Sequence, residues 1–327
     1  MSLKILVTGA AGFIGSHTCE KLLSRGHTVV GLDNLNDYYS PLRKQANVAE
    51  VEASAGTNRF TFVRGDICDR EALEELFVRE NFDAVVNLAA MAGVRVSIEN
   101  PHLYVDVNLT GTLNLLLACQ KHEVGNFVLA STSSAYGNTE VIPFVETDPC
   151  DRPLAPYSAS KRAAEMMAYT YHHLFGVNAT VLRFFTVYGP RGRPDMMAYK
   201  VLDNIFFGTP LTLFNNGEMW RDWTFIDDIT EGVCNAAERP LGFEIINLGR
   251  GEMVKLSEFV AIIEGLSGRK SQSTPAPKLQ ADIDRSFADI EKAKRLLGYQ
   301  PKVSVREGIG AFWSWYKTQV LESSQLA

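Results

Sequence analysis

Cysteine is scarce in this chain, and its placement excludes two classes at once. Cys19, Cys68, Cys119, Cys150 and Cys234 are widely scattered and odd in number, with no CxxC pair and no Cys/His ligand spacing. A disulfide framework and a zinc site are both excluded, leaving buried or inert thiols in a reducing compartment. Basic charge is also in short supply: 32 Lys and Arg against 38 Asp and Glu give a net charge of -6. A nucleic-acid partner would call for a clustered basic surface, so none is expected, although local arginines can still hold an anionic ligand. No apolar run is long enough to span a bilayer, and the N-terminus enters a strand without a leader, so no membrane partner and a cytoplasmic location are expected. The six histidines show no metal spacing, and His172-His173 reads as a polar patch on a helix; no metal is expected.

What is present is a regular alternation. Strand-like runs at Lys4–Thr8, Thr28–Asp33, Thr61–Asp66, Ala84–Ala89, Asn126–Ser131 and Ala179–Phe185 are separated by helical patterns at Ile14–Ser24, Arg70–Arg79, Leu109–Lys121 and Ser158–Phe175. This predicts an α/β Rossmann fold, a doubly wound parallel sheet with ligands at the carboxyl edge of the strands. After the turn-rich Gly189–Asp195 the pattern changes. Met196–Gly208 and Val254–Leu266 read as helices, Pro210–Phe214 as a short strand, Ser267–Leu279 as a surface loop, and Phe243–Leu248 as a buried strand able to rejoin the main sheet. The expected organisation is a dinucleotide-binding domain over 1–187, with returning segments near 225–250, and a smaller, discontinuous α/β domain over 188–327.

Thr8-Gly9-Ala10-Ala11-Gly12-Phe13-Ile14-Gly15 follows a strand and opens a helix. Glycines there let the backbone turn sharply and approach a pyrophosphate seated at the positive helix N-terminus. The second strand ends in Asp33, followed by Asn34, and an acid there accepts hydrogen bonds from the adenosine ribose hydroxyls. It repels a 2′-phosphate, and no arginine follows closely, so NAD rather than NADP is expected. Asp66 and Ile67 end the third strand and Leu88, Ala89 and Ala90 lie at the end of the fourth, all on the cofactor edge.

Tyr157 and Lys161 are four apart, just after Pro156, and so share one helix face. A neighbouring ammonium favours a phenolate, which can then remove a hydroxyl proton as hydride leaves the same carbon. By itself the pair is also consistent with an exposed helix contact. Ser131-Thr132-Ser133-Ser134 lies at the carboxyl end of the Asn126–Ser131 strand. These hydroxyls serve either as turn formers or, at a cofactor edge, as substrate hydrogen-bonders.

TGAAGFIG, the strand-end Asp33, STSSAYG, YSASK, RFFTVYGP and RDWTFIDD together resemble the motif set of extended short-chain dehydrogenase/reductases acting on nucleotide sugars, across nearly the whole chain. The resemblance implies NAD as a tightly held cofactor, a second domain that holds a nucleotide diphosphate, and a homodimer built on a helix bundle. It implies a catalytic set of Thr132, Tyr157 and Lys161. Arg221 then falls at a diphosphate-contacting position, against the alternative of a surface ion pair with Asp222. Arg285 is a looser phosphate candidate and Phe214 a candidate partner of the uracil. Asn87 and Met91 stand near the cofactor where relatives carry histidine and glutamine.

Relatives that remove water carry Asp-Glu at the positions of Ser133 and Ser134, and decarboxylating relatives carry glutamate at the second. Thr186, where many hexose 4-epimerases have asparagine, together with Arg191–Met196 and Ala92–Arg95, resembles the UDP-glucuronate 4-epimerases. The expected substrate is therefore a UDP-uronic acid. Its C6 carboxylate would be held by Ser133, Ser134 and Thr186, with Arg193 or Arg95 supplying charge. A UDP-hexose 4-epimerase, a UDP-glucuronate decarboxylase and a non-catalytic NAD-binding scaffold stand as the alternatives.

Overall fold

In the computed structural model, which describes residues 2–322 except Thr57 and Leu279, a seven-stranded parallel sheet organises the chain. Its first six strands are β1 (Lys4–Thr8), β2 (Thr28–Asp33), β3 (Phe60–Arg64), β4 (Ala84–Asn87), β5 (Asn126–Thr132) and β6 (Ala179–Phe184). Short strands follow: β7 (Thr186–Tyr188), β8 (Leu211–Phe214), β9 (Trp220–Arg221) and β10 (Trp223–Phe225). The last are β11 (Phe243–Leu248), β12 (Val254–Lys255), β13 (Ser273–Ala276) and β14 (Arg285–Ser286). The main sheet runs β11-β6-β5-β4-β1-β2-β3, so FEIINL does rejoin it, in register Phe243 to Ala179 through Leu248 to Phe184.

The two faces of the sheet follow the period-two alternation of its strands. Ile5 and Val7 fall in one apolar cluster with Cys19, Leu22, Leu23, Ile229 and Val233. Leu6, between them, packs into the other, with Leu73, Leu76, Leu115 and Leu116. Because both faces are covered, the strands read as nearly unbroken apolar runs. The covering helices include α1 (Phe13–Ser24), α2 (Pro41–Ser54), α3 (Arg70–Glu80), α4 (Val94–Glu99), α5 (Pro101–Val105), α6 (Thr112–Lys121) and α7 (Pro156–Phe175). Beyond them come α8 (Met197–Phe207), α9 (Ile226–Glu238), α10 (Leu256–Ser267), α11 (Glu291–Leu297) and α12 (Val305–Tyr316).

Several expectations are corrected. Helix α2 has no counterpart in the sequence reading, since only Lys44, Asn47, Val48 and Val51 are buried and its composition is polar. The helix expected from Leu109 is a π-helical turn at Asp106–Gly111 before α6 begins. Val254 and Lys255 form a strand rather than the start of α10. Within the expected loop Ser267–Leu279, Ser273–Ala276 forms β13 alongside β8; Leu279 itself lies outside the described residues. Its proline is tolerated because β13 is an edge strand. No helix among the described residues is long and apolar enough to cross a membrane.

Candidate active site

The glycine turn sits between β1 and α1, and steric contact explains its composition. Gly9 has φ +68°, and a Cβ there would lie 2.8 Å from the backbone nitrogen of Ala89. At Gly15 a Cβ would stand 2.0 Å from the Gly9 carbonyl oxygen, so helix and turn cannot close with any larger residue. Asp33 is buried at the end of β2, where its two oxygens accept from the Ala11 and Leu35 backbone N–H groups at 3.1 and 2.8 Å. Burial raises its pKa, while those N–H groups and the nearby Lys44 ammonium oppose the rise. Asn34 donates to Asp66 at 2.8 Å, joining the ends of β2 and β3.

One cleft along the carboxyl edge is lined by Gly9, Gly12, Phe13, Ile14 and Gly15, by Asp33 and Asn34, by Asp66 and Ile67, and by Leu88, Ala89 and Ala90. Tyr157, Lys161 and Arg193 complete it. The residues fit a dinucleotide: a helix N-terminus, a backbone open to close approach, and a strand-end carboxylate lie together in the expected order. The Tyr39 hydroxyl, on the same lining, is buried without a partner and offers a polar group for a ligand.

Several contributors escaped the sequence reading, Asn36 and Val107 among them. Tyr38, Tyr39 and Lys44 line the cleft. Asn47 donates to the Ala11 carbonyl at 2.9 Å and braces the glycine turn. Lys44, Asn47, Val48 and Val51 follow the i, i+3, i+4, i+7 spacing of one helix face behind Ser40-Pro41, the signal that would have found them. Asn87, by contrast, is fully buried beneath the cleft. It accepts from Thr8 at 2.7 Å and donates to Thr112 at 3.1 Å, so it is a cross-brace and not part of the cleft lining. Met91 is buried too, with its N–H and carbonyl both bonded to Asn108 on the π-turn, at 2.9 and 3.0 Å.

Tyr157 is the second residue of α7. Pro156 opens the helix, and Ser158 closes the turn by donating to the Ala155 carbonyl at 2.9 Å. A helix N-terminus favours negative charge, as a phenolate requires. Burial raises the Tyr157 pKa, and the Thr132 hydroxyl and the Arg193 guanidinium pull against it. Tyr104 packs edge-on against the phenol ring, with ring centroids 6.1 Å apart. The expected effect of the lysine on the tyrosine takes another form here. Lys161, which is buried, donates to the Ala130 carbonyl at 2.8 Å, and Arg193 is the positive charge acting on the phenol. Burial lowers the Lys161 pKa to about 8, with Glu165 opposing.

Thr132 ends β5, and Ser133 and Ser134 sit on the short 3-10 turn that follows. The Ser134 N–H donates to the Thr132 hydroxyl at 3.1 Å. The side-chain hydroxyls of Ser133, Ser134 and Thr186 are half-buried and have no hydrogen-bond partner among the described residues. Thr186 lines a second cavity with Arg95, Arg221 and Asp282, floored by Met196, Met219 and Trp223. Arg95 pairs with Asp282 at 3.2 Å and lies 4.0 Å over the Phe214 ring.

Arg221 makes no ion pair with Asp222. Asp222 is fully buried and accepts instead from the N–H groups of Arg250, Gly251 and Ala288 and the Thr224 hydroxyl. Among the described residues Arg221 donates only to the Trp220 and Asp284 carbonyls and the Met219 sulfur, which keeps its guanidinium on the cavity. Arg285 departs from expectation. Strand β14 places it, exposed, on a separate surface cleft with Lys255 and Glu218, because strand alternation turns it away from the cavity that Arg95 and Arg221 share.

A parallel sheet with a glycine turn, a strand-end acid and a tyrosine–lysine pair on one helix defines an extended short-chain dehydrogenase/reductase. Residues 6–312 match the family model described as GDP-mannose 4,6 dehydratase, and the chain belongs to that family. It is 44% identical to the UDP-glucuronate 4-epimerase of Thermodesulfobacterium geofontis over 316 residues, covering 96% of each chain. Among solved structures, UDP-glucuronic acid 4-epimerase from Bacillus cereus, in complex with UDP-glucuronic acid and NAD, superposes with a TM-score of 0.89 at 36% identity, covering 97% of this chain and 99% of that one. UDP-glucose 4-epimerase from Thermotoga maritima, with UDP-glucose, gives 0.88 at 31%, covering 97% and 100%.

Proposed function

We propose that the chain is an NAD-dependent isomerase that interconverts UDP-glucuronate and UDP-galacturonate through a 4-keto sugar, keeping the C6 carboxylate. The observation that carries this is the pair of unpartnered hydroxyls Ser133 and Ser134, in place of the carboxyl groups that elimination requires, with a third unpartnered hydroxyl at Thr186. NAD held in the cleft would supply a reversible hydride acceptor for C4 and would be regenerated each turnover, so no outside redox partner would be needed.

The chain's own groups manage the proton and the geometry. Tyr157 removes the C4 hydroxyl proton and gives it back on the return step. The Thr132 hydroxyl, which favours the ionised Tyr157, steers the same oxygen. Lys161, fixed on the Ala130 carbonyl, holds the nicotinamide ribose. Desolvation makes the half-buried phenol reluctant to ionise, and the helix N-terminus and the Arg193 charge lower the cost of the proton transfer.

Arg221 holds the diphosphate, Arg193 supplies positive charge near the C6 carboxylate, and Phe214, stacked under Arg95, borders the uracil. The three hydroxyls keep the carboxylate charged and out of line with the C4 carbonyl, where a β-keto acid loses CO2. Residues 1–187 with the returning segment near 225–250 then act as the NAD-binding domain, and 188–327 as the sugar-nucleotide domain. Exposed Leu103 and Val105 on α5, beside Met166 and Tyr169 on α7, support a homodimer through these helices. Unpaired cysteines, all buried but Cys68, fit a cytoplasmic location.

The test is incubation of the purified protein with UDP-glucuronate and no added NAD. UDP-galacturonate is the expected product; UDP-pentose would mean decarboxylation, and no turnover with uronate but turnover of UDP-glucose would favour the hexose alternative.

A further inference from the structure

Between β7 and α8 the chain makes the turn-rich passage 189–196, which delivers Arg193 to the cleft beside Tyr157. Inside the passage only two backbone bonds hold it, Gly192 to Gly189 at 3.0 Å and Met196 to Arg193 at 3.1 Å. Arg193 itself grips Asp195 with two bonds, at 2.9 and 3.0 Å, and Tyr38 reaches Asp195 at 3.4 Å. None of these contacts ties the passage to the rigid part of the fold. Arg191 does.

Arg191 has φ +60°, a left-handed backbone that a residue with a Cβ seldom adopts unless the surroundings impose it. Its side chain is 7% exposed and runs back onto the flank of α1, where both guanidinium nitrogens meet the Glu20 carboxylate. The same group reaches Glu50 on α2 at 3.5 Å and donates to Nδ1 of His17 at 3.1 Å. Because arginine only donates, His17 Nδ1 must accept, and the ring hydrogen sits on Nε2, which donates to the Pro190 carbonyl at 3.0 Å. Burial, and next the Arg191 charge, push His17 down to about 3, so this neutral form persists across the working pH range. The passage is thus clamped at two successive residues by helices of the cofactor half. Helix α1 bears the glycine turn on its first turn and this clamp on its second.

We infer that Arg191 is a positioning residue for substrate choice: by locking the passage onto α1 and α2 it fixes Arg193 beside Tyr157, and so sets the preference for a C6 carboxylate over a C6 hydroxymethyl group. This rests on the proposed reading that Arg193 faces the uronate. Arg191 lines neither the cleft nor the cavity, so it does not meet a ligand itself.

The experiment measures dissociation constants of UDP-glucuronate, UDP-glucose and UDP by calorimetry on the NAD-loaded enzyme, for wild type, R191M, R191K and R193M. R191M is expected to weaken UDP-glucuronate about ten-fold relative to UDP-glucose, with UDP affinity and bound NAD unchanged and with partial rescue in R191K. A ratio left unchanged in R191M while R193M lowers it overturns the inference and leaves the Arg193 reading intact. An unchanged ratio in R193M overturns that reading itself. Equal weakening of all three ligands, or loss of NAD, would make Arg191 a purely structural brace and also overturn the inference. Where R191M does not fold, Glu20→Gln takes its place, with a fall of several-fold in the same ratio expected and an unchanged ratio contradicting the inference.

Discussion

The two sides of the active site are built from different materials. The cofactor side is made of backbone: a turn that admits only glycine, strand ends in fixed register, and a carboxylate already held by two N–H groups. The proposed substrate side is made of side chains on turns and short strands: hydroxyls without partners among the described residues at Ser133, Ser134 and Thr186, and arginines resting on Asp282 or on carbonyl oxygens. The first arrangement fixes one ligand shape, whereas the second can change its chemistry by single substitutions without disturbing the sheet. Tyr157 stands at the seam, contacting Thr132 and facing Arg193.

Breaking the seam has the largest expected effect. Tyr157→Phe should lower kcat by about a thousand-fold, as expected for loss of the acid/base group, with NAD still bound; turnover near wild type would remove Tyr157 from the mechanism. Breaking the cofactor side comes next. Gly15→Ala places a Cβ 2.0 Å from the Gly9 carbonyl, so the protein should purify without NAD, read from the nucleotide released on denaturation. Full NAD content would show that the turn is less rigid than its contacts indicate.

The substrate side should fail more gently and in another way. Alanine at Ser133, Ser134 and Thr186 together should leave NAD bound and raise the share of decarboxylated UDP-pentose among the products, resolved by chromatography. An unchanged product ratio would sink the carboxylate-holding role.

The smallest effect is on stability. The Lys161 pKa is lowered by burial from 10.5 to about 8, so its buried charge destabilises the fold below pH 8. That cost is relieved as pH rises from about 8 towards 10.5, because there the unfolded chain holds a proton that the folded chain has released. Lys161→Met should therefore be inactive yet more stable at pH 7, by at most about 3 kcal/mol. The advantage should shrink above pH 8 in denaturant titrations. A gap independent of pH would contradict the assignment.

The sequence made the cofactor side almost wholly legible, because a backbone site leaves glycine, strand and acid at fixed intervals. Tyr157, Lys161, Thr186 and Arg221 could be singled out as candidates for a related reason: each lies on or beside a strand or helix with a strong pattern. Lys44 and Asn47 escaped because α2 is polar and shows only a narrow buried stripe. Arg285 was misplaced because its neighbours match the family pattern loosely and only the pairing of β14 with β9 decides which way it faces. Glu20 and Arg191 are 171 residues apart, and no local pattern announces their contact.

The most direct test of the proposed chemistry uses UDP-glucuronate carrying deuterium at C4. Hydride transfer and return at one site predicts UDP-galacturonate with the deuterium retained at C4 and turnover slowed by the label. Washout of the label into solvent would contradict oxidation at C4 and with it the role assigned to Tyr157.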